Sequence, residues 1–272
     1  MIAFAANSIL TRLAIESGDI DPSGFALVRV ISGAVVLCMV LTLKGGGLPL
    51  FHRDRIAGAL SLGLYLIGFT LAYLTLDAGL GALILFGVVQ ITMFAHAAIR
   101  GTTPGLRQIA GSAVAFAGLL LVLWPGARGA ADPVGAALMV LAGLGWGIYS
   151  IVGRKSVDPL AATAANFVLC VPLLLIFLTG TTLNFGITGI AIGILCGGLT
   201  SGLGYALWYM ILPRIETATA AVLQLSVPVI ALVAGALFLG ETVGPAILVA
   251  AVLVVGGIGW SVTGRSAPAD RR

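Results

Sequence analysis

The sequence predicts an all-α polytopic membrane protein with ten transmembrane helices, arranged as two inverted five-helix repeats. Of its 272 residues, 60% are hydrophobic and 9% are charged, a balance that leaves a water-soluble chain of this size too few polar groups for its surface. Clusters of glycine, proline and charge divide the chain into ten apolar segments. The second half repeats the first after an odd number of segments, so the two halves cross the membrane in opposite directions.

Most of the ten segments approach the roughly twenty residues that a helix needs to cross a hydrocarbon core of about 30 Å. The first segment, "MIAFAANSILTRLAI", is shorter and reaches only about 22 Å. No small-residue cleavage site follows its Arg12, which argues against a signal peptide. We therefore expect a short first helix, either because the helix is clipped or because the start codon is misplaced. The segments lie near residues 1–16, 23–43, 56–76, 80–99, 106–124, 134–152, 160–179, 187–211, 217–239 and 245–263.

Basic residues in the short loops predict the orientation, because Lys and Arg are retained on the cytoplasmic side of the membrane. With the N-terminus inside, all but three of the 14 basic residues fall in cytoplasmic loops or in the tail. The exceptions are Arg12, Arg29 and Arg128. Both termini are therefore expected in the cytoplasm. The net charge of +4 is dispersed, with no basic run interleaved with aromatics, so we expect no nucleic-acid partner.

Internal similarity divides the chain into two halves. Residues 76–103 align without a gap with residues 215–242, and earlier in the two halves Arg29 falls opposite Asn166. Five helices in each half make an inverted repeat, the usual architecture of a transporter that works by alternating access. The predicted units are a first repeat over 1–127, a second repeat over 128–264 and a cytoplasmic tail over 265–272.

Two stretches carry a family resemblance: "ALMVLAGLGWGIYSIVGRK" at the start of the second half and "SVPVIALVAGALFLGET" near its end. With the five-plus-five helix pattern, they resemble the EamA family of the drug/metabolite transporter superfamily. The resemblance implies a carrier of small metabolites in the bacterial inner membrane, often an exporter. It also implies a central cavity lined by the first, third and fourth helices of each half. The first half departs from the family pattern, since Val89, Gly101 and Thr102 occupy the positions of its proline and Gly-Glu pair.

Pro228 lies in the middle of the ninth segment, where it removes a backbone donor and frees the carbonyl of Gln224. At this depth a free carbonyl must be buried in protein or face a wet cavity. With the Gln224 amide and the Ser226 hydroxyl nearby, we expect a substrate-facing position. The alternative is a packed kink in which Ser226 bonds back to its own helix.

Carboxylates lie only in loops, in the tail or at helix ends. Glu241 precedes the tenth segment, and Asp77 and Glu216 precede the fourth and ninth, so each is expected to cap the helix that follows it. His96, near the cytoplasmic end of the fourth segment, is the candidate for proton coupling, with an interfacial histidine as the alternative. We therefore expect facilitated diffusion or exchange with at most weak proton coupling.

Polar and aromatic residues inside the segments are candidates for substrate binding, because polar groups are rarely placed in lipid without a role. Asn7 belongs to a polar side of the first segment. Arg29 either snorkels to the outer surface or faces a vestibule and attracts a carboxylate. For the aromatic residues, bulk packing is the alternative. The expected set is Asn7, Arg29, Gln90, Thr92, Trp146, Tyr149, Asn166, Tyr205, Trp208, Gln224, Ser226 and Pro228.

Motifs of other protein classes are missing from the sequence: it has no G-x-S-x-G, no H-E-x-x-H and no G-K-[ST]. Its three cysteines lie in apolar runs without C-x-x-C spacing. We therefore expect no catalytic residue, metal or cofactor, and a secondary transporter for a small amphipathic metabolite such as an amino acid. The expected partners are the substrate and the bilayer, with homodimerisation left open. The alternatives are a transport-inactive receptor or partner subunit and an intramembrane enzyme.

Overall fold

The computed structural model describes residues 1–100, 105–123, 131–154, 156–177, 184–214 and 217–262. In these ranges the chain is helical apart from its loops and one isolated bridge between Ile20 and Phe185. The helices are α1 (Ile2–Glu16), α2 (Pro22–Leu43), α3 (Asp54–Ala72), α4 (Ala78–Ile99), α5 (Leu106–Leu123), α6 (Pro133–Gly153), α7 (Pro159–Phe177), α8 (Ile187–Ile211), α9 (Thr217–Phe238) and α10 (Pro245–Val262).

Seven of the described helices, α2 to α8, are long and apolar enough to cross a membrane. Helix α1 has only 15 residues, and α9 and α10 contribute the shorter apolar stretches Leu223–Phe238 and Pro245–Ser261. Large apolar side chains such as Met39 and Leu237 are exposed on the outside of the bundle, where lipid is their natural solvent. The chain is therefore an all-helical polytopic membrane protein, as its composition predicts.

Asp-Pro pairs begin α2 and α6. The proline at the first helical position lacks an N–H that would have no helical partner there. Asp21 Oδ1 accepts the Gly24 N–H at 2.9 Å, and Asp132 Oδ2 accepts the Gly135 N–H at 2.8 Å. These caps satisfy donors at the helix start, so the local sequence determines where both helices begin.

Contacts between helices follow a regular scheme. Several contacts have a counterpart in which every helix is replaced by the one five positions away in the chain. The contact of α3 with α6 corresponds to that of α8 with α1, and the contact of α4 with α6 corresponds to that of α9 with α1. The contact of α2 with α8 corresponds to that of α7 with α3. The pairs α2–α7, α4–α9 and α5–α10 also contact each other. Glycines allow close approach: a Cβ on Gly145 of α6 would lie 2.7 Å from the Tyr65 nitrogen of α3. Small residues serve in this way at helix interfaces in membranes.

Most charged side chains lie at the two ends of the bundle. The loops after α1 and α7 are joined by the bond from the Asp21 N–H to the Asn184 carbonyl at 3.3 Å, and those after α3 and α5 by Thr75 and Asp132 at 3.0 Å. We call this the acidic end, with Glu16, Asp19, Asp21, Asp77, Asp132 and Glu241. The opposite, basic end carries Lys44, Arg53, Arg55, Arg100, Arg107, Arg154 and Arg214.

Glu241 caps α4 rather than the tenth helix. Its Oε1 accepts the Ala78 N–H at 2.6 Å and its Oε2 accepts the Gly79 N–H at 3.3 Å. The prediction that Glu241 caps its own following helix is wrong, because the turn after α9, with Gly240 at φ 66°, brings the carboxylate against the neighbouring helix start. The C-terminal half of the chain thus supplies the cap for a helix of the N-terminal half.

Asp77 does not cap α4 with its side chain, although it stands directly before that helix. Its carboxylate instead lies 3.9 Å from the guanidinium of Arg12, which also donates to the Tyr73 carbonyl at 2.9 Å. The expected cap at this position is therefore wrong, because Glu241 already takes the free N–H groups. The third predicted cap, Glu216, lies outside the described residues.

Substituting Glu241 by glutamine tests this cap through its pH dependence. Burial raises the pKa of Glu241 above its ordinary value, against the opposing effect of the Ala78 and Gly79 N–H groups. A raised pKa adds stability below the unfolded value of about 4.3 that is lost as pH rises through the folded pKa. We therefore expect the melting temperature of the wild type, relative to Glu241→Gln, to fall as pH increases from about 4. Thermal unfolding in detergent measures this, and a pH-independent difference would contradict it.

Candidate functional site

Arg29 of α2 is fully buried in the middle of the bundle. Its Nε donates to Ser201 Oγ at 2.9 Å, and its Nη2 donates to the hydroxyls of Tyr65 and Tyr205 at 3.0 and 3.1 Å. The guanidinium carbon also lies 5.1 Å from the ring centroid of Phe69. The snorkelling alternative is therefore wrong, because hydroxyls and an aromatic face inside the bundle replace the water that snorkelling would reach.

The charge of Arg29 has no counter-ion within the described part of the chain. There, Nη1 has no hydrogen-bond partner, and the ion pairs join other residues. Burying an uncompensated charge costs several kcal/mol, and an ionisable residue inside a membrane protein commonly marks the path of a substrate or an ion. The guanidinium is therefore suited to receive an anion.

Asn7 of α1 contacts α8 where that helix widens into a π-helix over Leu195–Leu203. The Asn7 Oδ1 accepts hydrogen bonds from Thr200 Oγ1 at 2.7 Å and from Ser201 Oγ at 2.9 Å. Because Ser201 also accepts from Arg29, it links Asn7 to the guanidinium. Short π-helical turns occur frequently at functional sites.

Aromatic rings surround a small cavity beside this network. Trp146 of α6 lies 4.7 Å from Tyr205 of α8 and 5.0 Å from Tyr65, between ring centroids. Phe4 of α1 lies 5.9 Å from Trp208. The aromatic pairs predicted on the sixth and eighth segments thus form one cluster. The cavity has a volume of ≈ 10 Å³ and is lined by Phe4, Asn7, Ser8, Tyr65, Phe69, Leu85, Phe86, Trp146 and Tyr205.

This volume is close to the minimum for one water molecule. A metabolite therefore enters only if the surrounding helices move apart. Arg29 lies one layer behind the cavity wall, since three side chains that contact it, Tyr65, Phe69 and Tyr205, line the cavity. The centre of the bundle is therefore closed in this conformation.

Tyr149 and Asn166 belong to a second buried polar group, nearer the basic end. Tyr149 contacts Tyr209 with 5.8 Å between ring centroids. Gly58 of α3 allows the Asn166 amide to approach, since a Cβ there would lie 2.6 Å from Oδ1. Within the described residues, the Tyr149 hydroxyl and Asn166 Oδ1 have no hydrogen-bond partner. Both residues are absent from the lining of the central cavity.

The predicted residues of α4 do not line the cavity either. Gln90 is buried, and Thr92 donates to the Val88 carbonyl at 2.8 Å while packing against Gly147 of α6. His96 is half-buried near the end of α4. A role for these residues in substrate binding or proton coupling stays a prediction.

Helix α9 continues through the buried Pro228. Ser226 Oγ donates to the carbonyl of Leu223 at 2.6 Å, as in the packing alternative. Gln224 is buried, and its Oε1 has no partner among the described residues. Because α9 contributes no residue to the cavity lining, these three positions lie apart from the central cluster in this conformation.

Several residues that line the cavity or contact Arg29 were not predicted from the sequence, among them Phe4, Tyr65, Phe69 and Ser201. Tyr65 and Phe69 stand four positions apart, so they share one face of α3, and this spacing was a signal that could have found them. Ser201 carries no such signal, because "GGLTSGL" does not differ from the small-residue runs elsewhere in the chain.

Comparisons with known proteins agree with the membrane fold. The model of a protein family described as "EamA-like transporter family" matches residues 133–263. An uncharacterized protein of Pseudomonas aeruginosa is 42% identical, over 100% of this chain and 94% of its own length. A probable amino-acid metabolite efflux pump of Salmonella typhimurium is 27% identical over 75% of this chain and 74% of its own. A solved crystal structure shares the fold over 96% of both chains, with a TM-score of 0.67 and 17% identity.

Proposed function

The chain belongs to the EamA-like transporter family, and from this premise we propose that it is a secondary transporter exporting a small amphipathic metabolite, such as an amino acid, by alternating access. The observation that carries the proposal is the buried Arg29, whose Nη1 has no partner among the described residues, beside an aromatic cavity at the centre of the bundle. A carboxylate complements the guanidinium and its tyrosines, and an apolar substituent suits the surrounding rings.

Alternating access requires the helices around the cavity to open towards each end in turn. We propose that the movement occurs between two inverted repeats, 1–127 and 128–264. Two observations support this division: the related helix contacts, such as α3–α6 with α8–α1, and the family match over 133–263, which covers one predicted repeat. The trans cap by Glu241 on α4 is one contact between the repeats that opening at the acidic end would alter.

The proposed location is the bacterial inner membrane, with the acidic end outside and both termini in the cytoplasm. Cysteine labelling tests the orientation. Thr242 and Gly47 are exposed at the acidic and basic ends respectively, and a Cβ on Gly47 meets nothing within 4 Å. In a background with the half-buried Cys38 replaced by alanine, we expect an impermeant maleimide to label Thr242→Cys in intact cells. Gly47→Cys should react only after permeabilisation, and the reverse pattern would contradict the orientation.

Efflux from proteoliposomes tests the transport proposal directly. Vesicles are loaded with an equimolar mixture of the common amino acids and diluted into empty buffer, and the external medium is analysed by mass spectrometry. We expect a subset of amino acids to leave faster than from protein-free vesicles. Efflux equal to that of protein-free vesicles, from correctly folded protein, would contradict the proposal.

We further propose that flux follows the substrate gradient. Within the described residues the buried side chains include no Asp or Glu, the groups that usually couple transport to protons. In the same vesicles, an imposed pH gradient should therefore leave equal internal and external substrate concentrations unchanged.

A further inference from the structure

Unpartnered donors lie in the wall of the central cavity and directly behind it. Within the described residues, Arg29 Nη1 and Trp146 Nε1 are buried without a hydrogen-bond partner. The Tyr65 hydroxyl accepts from both Arg29 and Tyr205, so its own proton is free to donate to a ligand. These groups are N–H or O–H donors, and buried donors without acceptors are costly. A ligand that supplies acceptor oxygens would satisfy them together.

The side-chain amide oxygen at the same site is already occupied. Asn7 Oδ1 receives hydrogen bonds from Thr200 and Ser201, and Ser201 in turn accepts from Arg29. In the described part of the chain, no carboxylate is buried. An ammonium group entering the cavity would therefore lose its hydration without gaining an anionic partner.

Charge repulsion adds to this cost. A substrate ammonium in the cavity would lie in the same low-dielectric region as the Arg29 guanidinium, whose aromatic neighbours Tyr65 and Phe69 line the wall. The ring faces offer a cation–π attraction, but this attraction is smaller than the cost of removing an ion from water. The site thus favours the carboxylate of a substrate and disfavours its ammonium.

We infer that, within the proposed transport function on which this inference rests, the site recognises its substrate through the carboxylate alone. The substrate class is then organic monocarboxylates with an apolar substituent, including compounds without an ammonium group such as 2-oxo acids and N-acylated amino acids. The carboxylate binds the donors around Arg29, and the apolar part packs on Trp146 and Phe4.

Three matched probes separate the two groups. Leucine carries a carboxylate and an ammonium, 4-methyl-2-oxopentanoate carries only the carboxylate, and leucinamide carries only the ammonium; the phenylalanine series provides a second set. Binding is measured on the purified full chain by ligand-dependent thermal stabilisation. We expect the oxo acid to bind at least as tightly as the amino acid, and the amide at least tenfold more weakly.

Tyrosine variants link this binding to the site. Tyr65→Phe removes the donor hydroxyl at Arg29 and is expected to weaken oxo-acid binding at least fivefold. Tyr209→Phe is the matched control, because Tyr209 is also buried but its ring contacts Tyr149 nearer the basic end, and it is absent from the cavity lining. Equal weakening by both variants would overturn the assignment of the carboxylate to Tyr65 and Arg29.

The outcomes distinguish this inference from the proposed function. If leucinamide binds as well as leucine, or if the oxo acid fails to bind, the inference is overturned, while amino-acid efflux from proteoliposomes would still support transport. If none of the probes binds, the inference is also overturned, and the efflux experiment decides separately on the proposed function.

Discussion

Replacing Arg29 by methionine is expected to reduce transport by at least about 100-fold, since hydrogen bonds to a charged group contribute roughly 1.5–3 kcal/mol each. Folding should survive. Arg29 is fully buried and lacks a counter-ion among the described residues, so an apolar side chain of similar length removes the cost of burying an uncompensated charge. We therefore expect an unchanged or higher melting temperature together with lost function.

Initial efflux rates per folded molecule and melting temperatures in detergent measure the two effects. Arg55→Met is the matched control, because Arg55 is also buried but lies at the basic end, and it is absent from the cavity lining. That variant should retain most of the transport rate. A methionine at position 29 that transports normally would remove Arg29 from the substrate site.

Gly197→Ala is expected to prevent accumulation of folded protein. A Cβ at this position would overlap the Arg29 carbonyl and Ser32 Oγ of α2, so the α2–α8 interface cannot close without moving the backbone. Even accommodated overpacking costs about 1–3 kcal/mol, and a backbone carbonyl cannot turn away as a side chain can. The same displacement would move Arg29 away from Ser201.

Gly198→Ala is the control, one residue further along the same π-helical turn. Its nearest contact would be Val36 Cγ2 at 3.1 Å, a side-chain methyl that can shift by a few tenths of an ångström. We expect folded yield close to the wild type. Size-exclusion chromatography of both variants in detergent measures the difference, and equal yields would contradict the close α2–α8 packing.

Local properties of the sequence predicted the membrane architecture. Hydrophobicity over about twenty residues determines whether a segment enters the bilayer, and a cap needs only a few neighbouring residues. The segments predicted from residues 23 and 134 begin one residue after the observed starts of α2 and α6, where Asp21 and Asp132 cap the helices. The family resemblance, carried by a stretch around Pro228, is likewise confirmed.

The inward direction of Arg29 was decided only by the tertiary structure. From the sequence, snorkelling and burial were equally open, because Ser201, 172 positions away, and Tyr205, 176 positions away, had no known relation to it. Helical periodicity assigns a side chain to a face of its own helix, but it does not identify the helix that packs on that face.

The residue that caps α4 was likewise decided only by the tertiary structure. A carboxylate before a helix predicts a cap on that helix from local geometry, yet Glu241 reaches Ala78 across 163 positions. Likewise, Trp146 and Tyr205 form one cluster because α6 and α8 surround a common cavity with α1. The sequence by itself determined which residues enter the membrane and where helices start, since both depend on neighbours along the chain. The partners of the buried polar groups were set by helix packing, which depends on the whole bundle.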